Sequence, residues 1–192
     1  MFFLLRAINF INKFIYTKET ILLFSYDKSN KKEYSDENII VKKVNNNNVY
    51  DCLAFQKNFY LKKFLKFLKD GDIGYYAYLN DKCVHRSWVK LGKGKKFKLN
   101  YFFKRRFMSD EIYIHWCETA KEARGKNIYP IVLKKIADDY CDKKILIATS
   151  KNNKSSVHGI IKAGFKLVSI INIEVMCGIS KINIEKEKMN YL

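Results

Sequence analysis

Little in this sequence staples, kinks or anchors a chain. Its 192 residues include only five cysteines, one proline and eight glycines. The cysteines (Cys52, Cys83, Cys117, Cys141 and Cys177) lie far apart and form no C-x-x-C pair. That argues against a disulfide framework and points to reduced thiols in a cytosolic protein. Three histidines stand at no metal-ligand spacing to them, so no metal is expected. No apolar run approaches the roughly 20 residues that a membrane-spanning helix needs. The basic loop at 92–98, GKGKKFK, lacks the G-x-x-x-x-G-K-[ST] spacing of a P-loop. No internal repeat or linker divides the chain. Acidic residues are scarce too, 19 against 37 lysines and arginines. The net charge of +18 favours anionic partners: nucleotides, nucleic acid or acidic membrane surfaces. The lysines are spread along the whole chain, however, so charge alone names no partner.

What is present is apolar and aromatic. Hydrophobic residues make up 48% of the chain, with 14 phenylalanines and 13 tyrosines, which excludes disorder and suits one domain with a sizeable core. In residues 1–16 the polar positions Arg6, Asn9 and Lys13 fall on one narrow helical stripe. A helix docked on the domain is the first reading, and a membrane-interface helix the second. The segment has neither a charged start nor a small-residue cleavage site, so no secretory signal is expected. This hydrophobic helix and a strand at 21–26 read as an N-terminal extension over 1–35, ahead of a main domain over 36–192. In that domain the patterns predict strands at 39–44, 73–79, 83–91, 144–149, 165–176 and 182–184. Helices are predicted over 51–69, 128–140 and 153–162. The first of these helices sets Leu61, Phe64, Leu65 and Leu68 opposite Lys57, Lys62, Lys63, Lys66 and Lys69.

The chain is organised around residues 111–136, EIYIHWCETAKEARGKNIYPIVLKKI. Ile112, Ile114 and Trp116 alternate with Glu111, Tyr113, His115 and Cys117, as in a strand with two different faces. Arg124, Gly125, Lys126 and Asn127 break the alternation, and Ile128, Ile131, Leu133 and Ile136 then recur at helical spacing. Pro130 occupies the first helical turn, where its missing N–H is tolerated. A strand–turn–helix of this kind leaves open N–H groups at a positive helix end, with two cations beside them. That is a physical recipe for holding a pyrophosphate. A plain strand-to-helix corner with solvated cations is the alternative that these residues leave open.

Two separated motifs together resemble the GNAT superfamily of acyl-CoA-dependent N-acetyltransferases. One is Glu122-Ala123-Arg124-Gly125-Lys126-Asn127, similar to that family's Q/R-x-x-G-x-G/A turn. The other is Asn153-x-x-Ser156 followed by Lys162-Ala163-Gly164-Phe165, similar to N-x-x-A/S and K-x-G-F. The resemblance covers roughly residues 38–178. It departs at Asn127, where the family has Gly or Ala; Asn tolerates a left-handed backbone. It departs again at Ile160, where the family often has a tyrosine that protonates the leaving thiolate.

The resemblance implies an α+β fold, a mixed, mostly antiparallel sheet flanked by helices, here with the N-terminal hydrophobic helical extension. The central strand and the strand after the helix are expected to splay apart and admit the pantetheine arm of acetyl-CoA. Cys117 and Thr119 would pair with that arm through their backbones. Arg124, Gly125, Lys126, Asn127 and Ile128 would cradle the pyrophosphate, with Asn153 and Ser156 also on the cofactor side. A backbone N–H near the splay would stabilise the oxyanion. The implied reaction is acetyl transfer to a primary amine by direct attack on the thioester. Glu111 or His115 is the expected base, with Glu118 third. His85 and Arg86 either line the acceptor side or are exposed hairpin residues. The acceptor is open; a sugar or surface-glycan precursor is one candidate. Localisation is read as cytoplasmic, or membrane-peripheral through residues 1–16. The competing class is a binding module, either a non-catalytic GNAT-like domain or a basic nucleic-acid binder, although no nucleic-acid-binding signature is present.

Overall fold

Runs of β-branched and aromatic residues at period two build the protein, a computed structural model of which describes residues 14–29 and 36–186. The expected N-terminal helix, and with it the membrane contact through residues 1–16, falls outside the described residues up to position 13. Tyr16 already belongs to a strand. In chain order the strands are β1 (Tyr16–Tyr26), β2 (Ile39–Lys43), β3 (Ile73–Leu79), β4 (Lys82–Leu91), β5 (Lys96–Lys98) and β6 (Lys104–Arg106). Four more follow: β7 (Glu111–Thr119), β8 (Lys144–Ser150), β9 (Phe165–Met176) and β10 (Ile179–Lys186). The helices are α1 (Asn58–Lys69), α2 (Ile128–Asp139) and α3 (Lys154–Lys162).

Eight strands form one sheet in the order β10-β9-β1-β8-β7-β4-β3-β2. Neighbours are antiparallel except β7 and β8, which α2 joins as a parallel crossover. The mixed, mostly antiparallel sheet expected from the sequence is therefore present. The strand read as part of an extension needs correcting. β1 is an interior strand, paired with β8 from Ile21↔Ser150 to Ser25↔Leu146 and with β9 along its whole length. The β8–α3–β9 unit leaves a gap one strand wide, and β1 fills it.

Helices cover both faces. α2 and α3 pack Ile128, Leu133, Ile136 and Ile160 onto Phe24, Tyr75, Ile112, Ile114 and Ile147. α1 covers the other face at β3 and β4, setting Leu61, Phe64 and Phe67 against Tyr76, Tyr78 and Trp88. Leu65, expected on that buried stripe, is exposed; Phe67 takes its place because the stripe follows 61, 64 and 67. The predicted helix over 51–69 is in fact two pieces, a 3₁₀ turn at Val49–Ala54 and then α1. The basic, aromatic residues 99–110 ahead of the central strand include half of the β5–β6 hairpin. Its Phe97, Phe102 and Phe103 cover Ile21, Leu23, Tyr113, Leu146 and Ile171 beside α1. Among the described residues no helix is long and apolar enough to cross a membrane.

Candidate active site

The central feature is a parting of two strands. β7 and β8 pair only from Glu111↔Lys144 to Ile114↔Ile147, and their remaining residues diverge. The cause lies on the other edge of β7. Between Arg86↔Glu118 and Trp88↔His115 the register slips by one residue, and Trp116 has a left-handed backbone with φ of 52°. An extra residue of this kind bends its strand and leaves a backbone group out of the ladder. Between the diverging strands lies a cavity of about 340 Å³, lined among others by Ile114, Cys117, Tyr129, Ile147, Thr149 and Ser156. The bulge also corrects the expected alternation. Trp116 lies on the same face as His115, with its ring 5.6 Å from Phe67 and 6.5 Å from Phe64.

A left-handed conformation at a residue with a side chain costs roughly 1–2 kcal/mol, so something must hold it. Arg86, buried beneath the bulge, supplies the fastening. Its Nη1 donates to the Trp116 carbonyl, Nη2 donates to Glu118 Oε2 at 2.6 Å, and Nε donates to Gln56 Oε1 at 3.2 Å. Its guanidinium also lies over the Phe64 ring at 4.9 Å. Arg86 is thus not an exposed hairpin residue; it borders the cavity, with its guanidinium already engaged by these partners. His85 faces the opposite side and is fully buried, with Nδ1 2.7 Å from Thr119 Oγ1 and Nε2 2.8 Å from Ser87 Oγ. Burial, with Arg86 nearby, pushes its pKa down to about 3, so the ring is neutral.

The predicted turn has the geometry for an anion. After the 3₁₀ turn Lys121–Ala123, Gly125 takes φ of 82°, a conformation that suits glycine, and Asn127 takes φ of 57°. No side chain caps α2 at Asn127, so the first-turn N–H groups of Ile128 and Tyr129 point out of the helix uncapped. Arg124, Gly125, Lys126 and Asn127 are exposed around this helix mouth. Arg124 Nε donates to the Thr119 carbonyl at 3.3 Å, which ties the turn to the end of β7. Lys162 Nζ donates to Asn127 Oδ1 at 2.7 Å, so the two motifs separated in sequence meet in space. Asn153 Oδ1 accepts from Ser156 N at 3.2 Å and caps α3. Asn153 and Ser156 both line the cavity.

No family model matches the sequence, and neither does any curated protein. Solved structures do match its backbone. An acetyltransferase of the GNAT family from Colwellia psychrerythraea superposes with a TM-score of 0.60 at 14% identity, over 88% of this chain and 60% of that one. A GCN5-related N-acetyltransferase-like protein from Streptococcus suis gives 0.52 at 13% identity, over 88% and 66%. The glucosamine N-acetyltransferase region of a fungal multi-domain β-N-acetylglucosaminidase gives 0.59 at 12% identity, over 88% and 22%. This chain has the GNAT fold. It spans 60% and 63% of the length of the first two solved structures it matches.

Within the GNAT frame the three carboxylate and imidazole candidates separate clearly. Glu111 is buried at the zipped end of the β7–β8 pair and does not reach the cavity. Arg105 grips both its oxygens, at 2.8 and 2.9 Å, while Met108 N donates at 3.1 Å and Lys144 lies 3.2 Å away. Burial pushes its carboxyl up, but these contacts outweigh burial and bring the pKa down to about 2. It is a structural carboxylate, which corrects its place as a leading base. The His115 side chain is only 8% exposed and stands 5.1 Å from the Phe67 ring. Its Nε2 is 3.3 Å from Asp72 Oδ2, close enough for an ion pair yet without hydrogen-bond geometry. Asp72 is bound by Lys90 Nζ at 2.7 and 2.6 Å. Burial lowers the His115 pKa, and Asp72 only partly opposes it. Glu118, ranked third from sequence, lies past the bulge with its side chain 42% exposed, held by Arg86 through one oxygen. It is the most exposed of the three, whereas His115 is the one of the three that lines the cavity.

Gln56, Asp72, Ser87, Lys90, Arg105 and Tyr129 were not foreseen. Gln56, Asp72 and Lys90 act through partners 18 or more residues away, and no local pattern marks such a pair. Ile160, where the family often has its tyrosine, is fully buried in the core. Cys117 borders the cavity, and burial raises its thiol pKa, so it is a neutral lining group. Among the described residues no group of three or more His, Cys, Asp or Glu is placed to hold a metal.

Proposed function

We propose that the protein is an N-acetyltransferase that moves an acetyl group from acetyl-CoA to a primary amine. The observation that carries this is the parting of β7 from β8 beside an uncapped α2 mouth. Backbone N–H groups of Ile128 and Tyr129, with Arg124 and Lys126, are suited to the pyrophosphate. The cleft past Ile114 and Ile147 suits the pantetheine arm, flanked by Cys117, Thr119 and Ser156. Acetyl-CoA supplies an activated acyl thioester. The bulge at Trp116 offers a backbone donor to the acyl oxygen as negative charge develops. Glu118, held in place by Arg86, takes the proton that the amine loses on attack.

Binding is tested by thermal shift with acetyl-CoA. Ligand at 100 times its dissociation constant stabilises by about 2.7 kcal/mol. For a chain of this size that raises the melting midpoint by roughly 5–11 °C. Arg124→Glu should abolish the shift while leaving the ligand-free midpoint nearly unchanged. No shift in the parent protein at millimolar acetyl-CoA overturns the reading. Glucosamine is the first amine to test for turnover, followed by amino acids and polyamines, with released thiol as the readout.

A further inference from the structure

The β5–β6 hairpin, between β4 and β7, carries a charge arrangement that the cleft does not use. Residues 92–108 contain seven lysines and arginines and no acidic residue. The ribbon is firmly mounted. Phe97 packs on the buried Phe107 with ring centroids 5.4 Å apart, and Arg105, on the same inner face, grips Glu111. At the tip Asn100 Oδ1 accepts from Phe102 N at 2.9 Å and from Phe103 N at 2.7 Å. Asn100 Nδ2 donates to Glu19 Oε2 on β1 at 3.1 Å. With Phe97 and Arg105 turned inward, period two turns Lys96, Lys98, Lys104 and Arg106 outward, and all four are exposed. The register sets Lys96 directly opposite Arg106 and Lys98 directly opposite Lys104. Like charges facing each other across a ladder are destabilising. Elsewhere the chain answers its lysines with carboxylates, as in Lys90 with Asp72, Lys135 with Asp139 and Lys166 with Asp27. Among the described residues none of the four outward cations has a carboxylate partner. Lys98 lies 5.3 Å from the centre of the Tyr101 ring, and Arg106 donates to the Gly94 carbonyl. A lysine-rich composition supplies cations everywhere, but it does not set four of them in opposed pairs on one unanswered face.

The tip of the ribbon selects the kind of anion. Tyr101 is 49% exposed there. Phe14 packs edge-on against both Tyr101 and Phe102, with centroids 5.7 Å apart in each pair. The chain thus reaches the tip just after residues 2–11, FFLLRAINFI, of which eight are apolar. An apolar segment joined to a polybasic face is the pair of signals that holds a protein to an acidic bilayer, where one alone binds marginally. A nucleic acid would engage the cations and leave the apolar run unused. We propose that the outer face of the β5–β6 hairpin docks the protein on a membrane surface rich in anionic phospholipid. Lys96, Lys98, Lys104 and Arg106 meet the headgroups, and their negative charge relieves the two opposed pairs. The hairpin leads into the zipped end of β7 and not into the cleft, so the contact requires no acyl transfer.

Co-sedimentation of the full chain tests this at physiological salt. The vesicles are phosphatidylcholine alone, or phosphatidylcholine with roughly 30% phosphatidylserine. The variant K96Q/K98Q/K104Q removes both opposed pairs and spares the Arg106 bond to Gly94. K18Q/K121Q/K181Q removes equal charge from exposed lysines elsewhere. The parent should sediment with the acidic vesicles and not with the neutral ones. Each lysine at the surface changes partitioning about fivefold, so the hairpin variant should bind roughly 100-fold more weakly. The other variant should stay within about threefold of the parent, because charges beyond a Debye length are screened. Without lipid, the hairpin variant should melt no lower than the parent, since like charges no longer face each other. Failure of the parent to sediment with acidic vesicles, equal weakening of both variants, or tighter binding of the parent to a duplex oligonucleotide each overturns the proposal.

Discussion

Lowering the pH from 7 to 5 should destabilise this protein through His85. The folded ring is buried and neutral, with a pKa of about 3, between the hydroxyls of Thr119 and Ser87. In the unfolded chain a histidine takes up its proton near pH 6.5. The folded pKa is therefore depressed, and the unfolded state binds more protons below 6.5. The stability contributed is full above 6.5 and is lost progressively as the pH falls toward 3. One pKa unit corresponds to about 1.36 kcal/mol, so the interval from 6.5 to 5 removes about 2 kcal/mol. For a chain of this size that lowers the melting midpoint by roughly 4–8 °C. His115, whose pKa is also lowered by burial, adds a loss of the same sign. Asp27, Glu111 and Asp139, each held near 2, lose their contribution only below the ordinary carboxylate range. The window from 7 to 5 therefore belongs to the histidines. The assay is urea denaturation at pH 7 and pH 5 for the parent and for His85→Gln, whose neutral amide can still bond both hydroxyls. The variant should show about 2 kcal/mol less pH dependence. An identical pH dependence in the two proteins would show that His85 is not the buried neutral ring described here.

Arg86→Ala should lower unfolding free energy by on the order of 3 kcal/mol, because it strands the Trp116 carbonyl, the Gln56 amide oxygen and the Glu118 carboxylate. Arg86→Lys should recover little of it, since one ammonium cannot span three partners, and chemical denaturation checks both variants. Glu118→Gln keeps an acceptor for Arg86 but removes the counter-charge of that buried guanidinium, so it should lower the melting midpoint as well as lower kcat roughly 100-fold, the usual scale for losing a general base. An unchanged kcat would assign the amine proton to solvent.

The candidate site was legible where it is built from contiguous backbone. The turn from Arg124 to Asn127 and the cap at Asn153 are set by local conformational demands, which a sequence displays directly. The strands β3, β4, β7 and β9 were readable from their runs of β-branched and aromatic residues. The bulge was not. Period-two alternation continues through Trp116 in the sequence, and only the register against β4 shows that the pleat breaks there. The surroundings of the three candidate bases were hidden for a related reason. His115 is set by Asp72 and Glu118 by Arg86, partners 43 and 32 residues away, while Glu111 is set by Arg105 six residues earlier, across a turn that the sequence pattern does not display. β1 was recognised as a strand but misplaced, because its pairing with β8 and β9 spans more than 120 residues of chain.

That placement of β1 has a consequence for how the cleft stays open. Each strand at the parting is fastened on its outer side. β7 is held by β4 through His85↔Thr119 and Arg86↔Glu118, and β8 is held by β1 through Ile21↔Ser150, Leu22↔Thr149 and Leu23↔Ala148. The gap can therefore exist without loosening the sheet, because neither wall depends on the other. Removing residues 1–28 deletes the outer support of β8 and the shared neighbour of β9. It also removes Ile21, Leu23 and Phe24, all buried. Three such side chains contribute roughly 5–9 kcal/mol, against a total stability of about 5–15 for an ordinary domain. Residues 29–192 alone should show no cooperative thermal transition by circular dichroism and no acetyl-CoA shift. A cooperative melt within about 5 °C of the full chain would instead make β1 dispensable, and the cleft would owe its shape to the bulge and α2 alone.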